Sequence, residues 1–220
     1  MERRRRIEEA ARCVFREKGF EAATTREIAE QADVGVGTLF AYARDKQDLL
    51  MMIFNERLDA ITDQSFATLD ASAPLLSQLM HIFTPRYELW GLDPDLSRYA
   101  VQESFAVLTR HGETLTEAAR FLARRYRLLK KITEMITDKQ RIGLIAKTKD
   151  ADLIATLILD IFLSETRGWL VDRAPVLERG LDRLRRVLEL AIYGIIADAV
   201  DRTGASNPAK RSRRGVNSAT

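Results

Sequence analysis

Apolar residues recur at Ile7, Ala10, Ala11, Val14 and Phe15, an i, i+3, i+4, i+7, i+8 spacing that marks one face of a helix. Glu8, Glu9, Arg12, Arg16 and Glu17 fall on the opposite face. Gly19 follows Lys18 as a stop signal, because glycine takes a left-handed conformation at low cost. A second helix is predicted from Thr24 or Thr25. Thr24 followed by Glu27 fits a capping box, and Ile28, Ala29 and Ala32 form the inner face. Asp33-Val34-Gly35 reads as a turn. A third helix follows from about Val36 to Tyr42 with Leu39 inward, and Asp45 with Asp48 caps a fourth. Three short helices with a tight turn between the last two can set a short helix in the major groove of DNA.

The rest of the chain is predicted to be helical almost throughout. The fourth helix spans about Lys46 to Phe66. A fifth runs from Pro74 to about Trp90, with Pro85 marking a kink or early end. Asp93 and Pro94 start a sixth helix, which ends at His111-Gly112. A seventh covers about Glu113 to Asp138, an eighth Asp150 to Asp172, and a ninth Pro175 to Arg202. Residues 151–163 are apolar on more than one face, as a helix buried on several sides must be. The ninth helix carries Leu177, Leu181, Leu184, Leu188, Ala191 and Ile195, with a second flank at Val187, Ile192, Ile196 and Ala199. Two such neighbours suit a four-helix interface with the same pair of a second copy. The alternative is that both faces are covered within one chain.

Charge narrows the partners. The net charge is +3, yet residues 1–50 hold ten basic and ten acidic side chains. Residues 202–220 hold five basic side chains, no acidic one and almost no large apolar residue, so this tail is expected to be disordered. Arg3-Arg4-Arg5-Arg6 repel one another and favour an extended arm that can follow phosphates or a minor groove. A frayed, solvated start explains the run equally well. No apolar run has the length of a membrane span, and the start leads into an amphipathic helix rather than a secretory signal. The lone Cys13, beside the buried stripe, argues against a disulfide framework; the expected compartment is the cytoplasm.

Residues 5–50 resemble the DNA-binding domain of TetR-type transcriptional regulators. The resemblance rests on Ala10-Ala11, Phe15, Gly19-Phe20, Thr24-Thr25, Ile28-Ala29, Ala32, Val34, Gly37-Thr38-Leu39, Tyr42, Lys46 and Leu49. Gly35, Phe40 and Ala43 depart from the family's usual serine or alanine, tyrosine, and aromatic. The resemblance implies an all-α protein of about nine helices. A three-helix helix-turn-helix domain (1–48) precedes a helical ligand-binding and dimerisation domain (49–201) and the basic tail (202–220). It places the third helix in the groove, with Thr24, Thr25, Thr38, Tyr42 and Lys46 at phosphates or the groove edge. Gly37 lets backbone approach DNA closely. The third helix has no Arg, Lys, Asn or Gln, so the usual bidentate base contacts are absent from it. Arg26 is the best candidate for a guanine, Val36 for a thymine methyl, and Arg5 and Arg6 for the arm. DNA shape then carries much of the specificity.

The resemblance also implies a homodimer that reads a palindromic operator in double-stranded DNA. Interface candidates are Leu157, Ile161, Trp169, Leu181, Leu184, Leu188, Ile192 and Ile195. It implies a pocket among the middle helices, with candidates Met80, Phe83, Trp90, Tyr99, Gln102, Glu103, Phe105, Phe121 and Tyr126. Their apolar character suggests a small hydrophobic or aromatic ligand. No cofactor is expected. Two histidines and one cysteine, far apart, offer no metal-ligand spacing, and no glycine loop cradles phosphate. The expected function is a ligand-responsive regulator, most readily a repressor. A sequence-independent architectural DNA binder is the alternative class, and a helical enzyme the remotest.

Overall fold

The computed structural model describes residues 2–109 and 117–194, without the side chains of residues 104–109. Among the described residues there are nine helices and no strand. They are α1 (Glu2–Lys18), α2 (Thr25–Gln31), α3 (Val36–Phe40), α4 (Lys46–Ala67), α5 (Leu75–Gly91), α6 (Pro94–Thr109), α7 (Glu117–Arg141), α8 (Ala151–Leu170) and α9 (Leu177–Tyr193). The basic tail and Ile195 lie outside the described residues.

Local signals set most boundaries. Gly19 has φ of 79° and turns the chain after α1. The capping box at α2 is formed: Thr24 N donates to Glu27 Oε2 at 2.9 Å, and Glu27 N donates to Thr24 Oγ1 at 3.3 Å. Asp45 Oδ1 accepts from Asp48 N at 2.8 Å to open α4, and Asp150 caps α8. Asp93 accepts from Leu96 N at 3.2 Å, with Pro94 at the first position of α6.

Three expectations change. The arginines at positions 3–6 are helical, because α1 begins at Glu2. Packing of Ile7 and partners for Arg4 and Arg6 outweigh mutual repulsion. The fifth helix passes through Pro85 without ending. The only intrahelical bond that proline forfeits is the one to the carbonyl four residues back, and α5 is packed on several neighbours. The third helix stops at Phe40, two residues early.

Two cores organise the molecule. The first joins α1–α4, from Ile7, Val14 and Phe15 through Ile28 and Leu39 to Leu49, Leu50 and Ile53, and reaches Trp90, Leu96 and Leu170. The second lies among α5, α7, α8 and α9 around Phe83, Tyr87, Ile132, Phe162 and Leu184. The first turns of α4 are buried on every side, from Asp48 through Asn55. A segment enclosed all round must serve both neighbours, so α4 is the mechanical link between the helix-turn-helix and the remaining helices.

Candidate nucleic-acid interface and internal cavity

The exposed side of α2 and α3 presents Thr24, Arg26, Val36, Gly37 and Phe40, with Thr25, Thr38 and Tyr42 half-buried beside them. Among the described residues Arg26 forms no salt bridge, so its guanidinium is available. Phe40 stands one turn after Val36 and is also exposed. The sequence marks it only as a departure from the family's usual tyrosine, yet two exposed apolar side chains one turn apart on a groove helix are suited to thymine methyls and sugars. Gly35 gives α3 no side-chain cap, leaving its first N–H groups open. The Thr24 hydroxyl is already engaged with Glu27 at 2.8 Å.

Two basic candidates are tied inward. Lys46 Nζ donates to the Glu21 carbonyl at 2.9 Å and sits 4.7 Å from the Phe20 ring centroid. It anchors the start of α4 to the loop after α1. Arg6 donates to the Ala32 carbonyl at 2.5 Å and to the Asp33 carbonyl at 2.9 Å, and pairs with Asp33 Oδ2 at 3.0 Å. Arg6 therefore caps the end of α2 and the turn itself, where Asp33 has φ of 50°. These contacts hold Arg6 on the first helix, the alternative to a place in an extended arm. Among the described residues Arg5 meets only Glu9, at 3.7 Å on the surface.

A partly open cavity of about 60 Å³ lies between α4, α5, α6, α7 and α8. Leu58, Trp90, Val101, Phe121, Leu128 and Phe162 supply hydrocarbon; Thr62, Thr166, Arg86, Arg124 and Arg125 supply the polar wall. Of the ligand candidates, only Trp90 and Phe121 line it. Phe83 is buried one layer away, stacked on Phe162 at 4.3 Å. Met80 borders a separate open groove with His81 and Pro85, and Tyr99 and Gln102 border another beside Phe20 and Pro94. Tyr126 projects from the opposite side of α7 into solvent. Glu103 is half-buried, and the Phe105 side chain lies outside the described residues. Helical spacing tells which side chains point inward, not which of several inner surfaces they reach.

The arginines are what sequence reasoning missed. The available signal was a charge in an apolar stripe: Arg86 between Ile82 and Trp90, and Arg124 between Phe121 and Leu128. Arg86 is 3% exposed, donates to the Ile82 carbonyl, and donates to Thr62 Oγ1 at 2.8 Å. Burial and then the neighbouring Arg124 push it down to about 9. Burial lowers Arg124 to about 10, with Asp59 opposing the shift. Both stay protonated at neutral pH.

From this cavity a polar ladder runs to α1. Arg124 Nη1 donates to Asn55 Oδ1 at 2.7 Å. Asn55 Nδ2 donates to Glu117 Oε2 at 2.7 Å and to the Glu117 carbonyl at 2.8 Å. Glu117 Oε1 meets Arg4 Nη2 at 2.7 Å. Ala118 N also donates to the buried Asp48 carboxylate at 3.3 Å. The first turn of α7 therefore touches both α4 and α1. Asn55, Glu117 and Arg124 are each less than a tenth exposed, where such bonds are strongest.

The last two helices correct part of the interface expectation. Leu184 and Leu188 are 0% exposed, enclosed by α5 and α8 of the same chain. Trp169 is wedged against Gly91, Gly180 and Tyr87, with Nε1 donating to the Val176 carbonyl at 3.0 Å. Leu157 remains 52% exposed, with Leu153 and Leu190 similarly open. Ile161, Leu181 and Ile192 are half-buried. The reason is geometric: one face of α9 is used within the chain, so only the flanks are left.

Among the described residues no helix is long and apolar enough to cross a membrane, and no three His, Cys, Asp or Glu gather as a metal site. Residues 7–51 match the family described as "Bacterial regulatory proteins, tetR family". The chain is 31% identical over 203 residues to the HTH-type transcriptional repressor KstR of Mycobacterium tuberculosis, covering 90% of this chain and 82% of that protein. KstR of Rhodococcus jostii is 25% identical over 191 residues, covering 87% and 83%. In fold, the chain matches Thermus thermophilus FadR, a repressor solved with lauroyl-CoA, at a TM-score of 0.65 and 23% identity over 89% of this chain and 98% of that one. Bacillus subtilis FadR, solved with stearoyl-CoA, matches at 0.65 and 21% over 87% and 98%.

Proposed function

The chain belongs to the tetR family of bacterial regulatory proteins and is a DNA-binding transcriptional regulator; we propose that it acts in the cytoplasm as a homodimeric repressor, released from a palindromic operator when a small apolar ligand enters the cavity beside α4. The ladder Arg124–Asn55–Glu117–Arg4 carries this reading, because it joins a cavity wall to the helix on which the DNA-binding unit is built. The working division is residues 1–48 for DNA and 49–201 for ligand and dimer, with the tail 202–220 beyond.

A five-residue groove helix without long polar side chains makes few base contacts. Two copies related by a two-fold axis multiply that weak selectivity over two half-sites. The exposed Leu153, Leu157 and Leu190 on the last two helices are the surface for the second copy. The FadR proteins hold long acyl chains, and an elongated apolar body suits the hydrocarbon wall around Trp90 and Phe162. Such a ligand moves the equilibrium only by preferring the state in which the groove helices are wrongly spaced. Spreading α4 from α7 while α1 stays tied to α7 through Arg4 provides that state.

The test is selection from a random duplex pool at near-physiological salt. A palindrome should be recovered, with affinity falling by about 1–3 kcal/mol in Arg26→Ala if that side chain reads a base. Recovery of no sequence, with a steep salt slope alone, points to an architectural binder instead.

A further inference from the structure

We propose that Arg86 and Arg124 form an anion subsite, so that the ligand is an apolar body bearing one carboxylate that both guanidinium groups receive. This rests on the reading that the cavity beside α4 is the effector site. Arg86 is 3% exposed, and its partners are two neutral oxygens, Ile82 O and Thr62 Oγ1. Among the described residues no carboxylate pairs with it. Arg124 is 5% exposed; its Nη1 is held by Asn55, and the nearest carboxylate oxygen, Asp59 Oδ1, is 3.5 Å away. That carboxylate is held more closely by Arg120 at 2.8 Å and Arg127 at 2.9 Å. Arg124 Nη2 is buried and has no hydrogen-bond partner.

Two buried cations on one small cavity, with a spare N–H donor, make an arrangement that an anion relieves. The rest of the wall adds one more guanidinium, that of Arg125, which is paired with Asp160 at 3.4 Å. Thr62 and Thr166 spend their hydroxyl protons on Leu58 O at 2.7 Å and Phe162 O at 2.8 Å. Guanidinium N–H groups are thus the donors left, enough for the two oxygens of a carboxylate. The cavity of about 60 Å³ takes a head group, and the hydrocarbon of the ligand has to part the side chains of Trp90, Phe121 and Phe162. A carboxylate at Arg124 Nη2 sits on the same guanidinium that holds Asn55, which places ligand charge on the first rung of the ladder.

The experiment titrates the full chain with dodecanoate and with 1-dodecanol, each below its aggregation limit, by calorimetry. The expected result is tighter binding of the acid by about tenfold or more, the equivalent of one charge-assisted hydrogen bond. In Arg86→Met the preference for the acid over the alcohol collapses, and a circular-dichroism spectrum matching that of the unaltered chain shows that the variant is folded. Equal affinity for acid and alcohol in the unaltered chain overturns the anion subsite but leaves the cavity as an effector site. So does a preference that survives Arg86→Met. Binding of neither compound overturns the effector site as well. The comparison within the unaltered chain decides the matter even where a variant fails to fold.

Discussion

Asn55 is the rung on which the link between cavity and DNA-binding unit depends, and Asn55→Leu removes it with little change in volume. The asparagine makes three hydrogen bonds, two to Glu117 and one from Arg124, and is itself 0% exposed. Two of these involve a charged group. Each such bond contributes about 1.5–3 kcal/mol, and its loss leaves a buried charge partly unsatisfied. The leucine recovers about 1–2 kcal/mol through apolar burial. The net loss is therefore about 3 kcal/mol, a fall in melting temperature of roughly 6–12 °C for a chain of this size. The assay is thermal and urea denaturation at one fixed protein concentration, since association of copies would raise apparent stability. The same variant is then assayed for operator release by ligand. Operator affinity without ligand should persist, while the ligand's effect on it shrinks. A loss below about 1 kcal/mol, or coupling unchanged from the parent chain, refutes the ladder as a structural and functional link.

Other expectations follow from single contacts. In Gly180→Ala the new Cβ would lie 2.8 Å from Trp169 Cδ1, and the indole is held by Val176 and Tyr87. Overpacking of about 1–3 kcal/mol should outweigh the helix-propensity gain of about 1 kcal/mol, so denaturation should show net destabilisation rather than the gain usual for an exposed helix. Hydrogen bonds from Lys18 and then from Thr24 hold the Glu27 carboxyl down to about 2. A depressed carboxylate contributes stability above its unfolded pKa, near the ordinary 4.5, and loses it as pH falls toward 2. Glu27→Gln should flatten stability against pH across that window; an unchanged acid limb sinks the argument. Leu157→Glu should yield a monomer by sedimentation while remaining folded, because Leu157 is half-exposed in the single chain. Leu184→Ala should instead destabilise by about 2–5 kcal/mol with association retained after refolding. A monomer from Leu184→Ala at full stability would reverse these assignments.

The helix-turn-helix was legible because its determinants are local. Thr24 and Glu27 are three residues apart, Gly19 directly follows its helix, and Asp45 caps the residues just after it. Their hydrogen bonds close within one turn, so the order of residues is enough. The cavity was legible only as a tendency. Trp90, Phe83 and Met80 all lie on inward positions of α5, yet they reach a cavity wall, a stacked core and an outer groove. Which one a side chain meets depends on where α4, α7 and α8 cross it. The interface expectation divided for the same reason. Leu157 and Leu184 are both apolar at helical spacing, and only the position of α5 against α9 turns one inward and leaves the other open.

Sequence by itself therefore determined the elements: most of the places where helices start and stop, which stripe of each is apolar, and that residues 5–50 resemble a DNA-reading unit, which the family match over residues 7–51 bears out. Those are properties of neighbours along the chain, governed by caps, dihedral preferences and periodicity. The tertiary structure decided the connections. It holds Arg6 on the turn after α2, and Lys46 on the Glu21 carbonyl and the Phe20 ring. It buried Arg86 and Arg124 around one cavity and joined Arg124 to Arg4 across 120 residues of chain through Asn55 and Glu117. A buried charge takes its partners from whatever the packing brings within about 3 Å, and that is set by the crossing of helices rather than by spacing along any one of them.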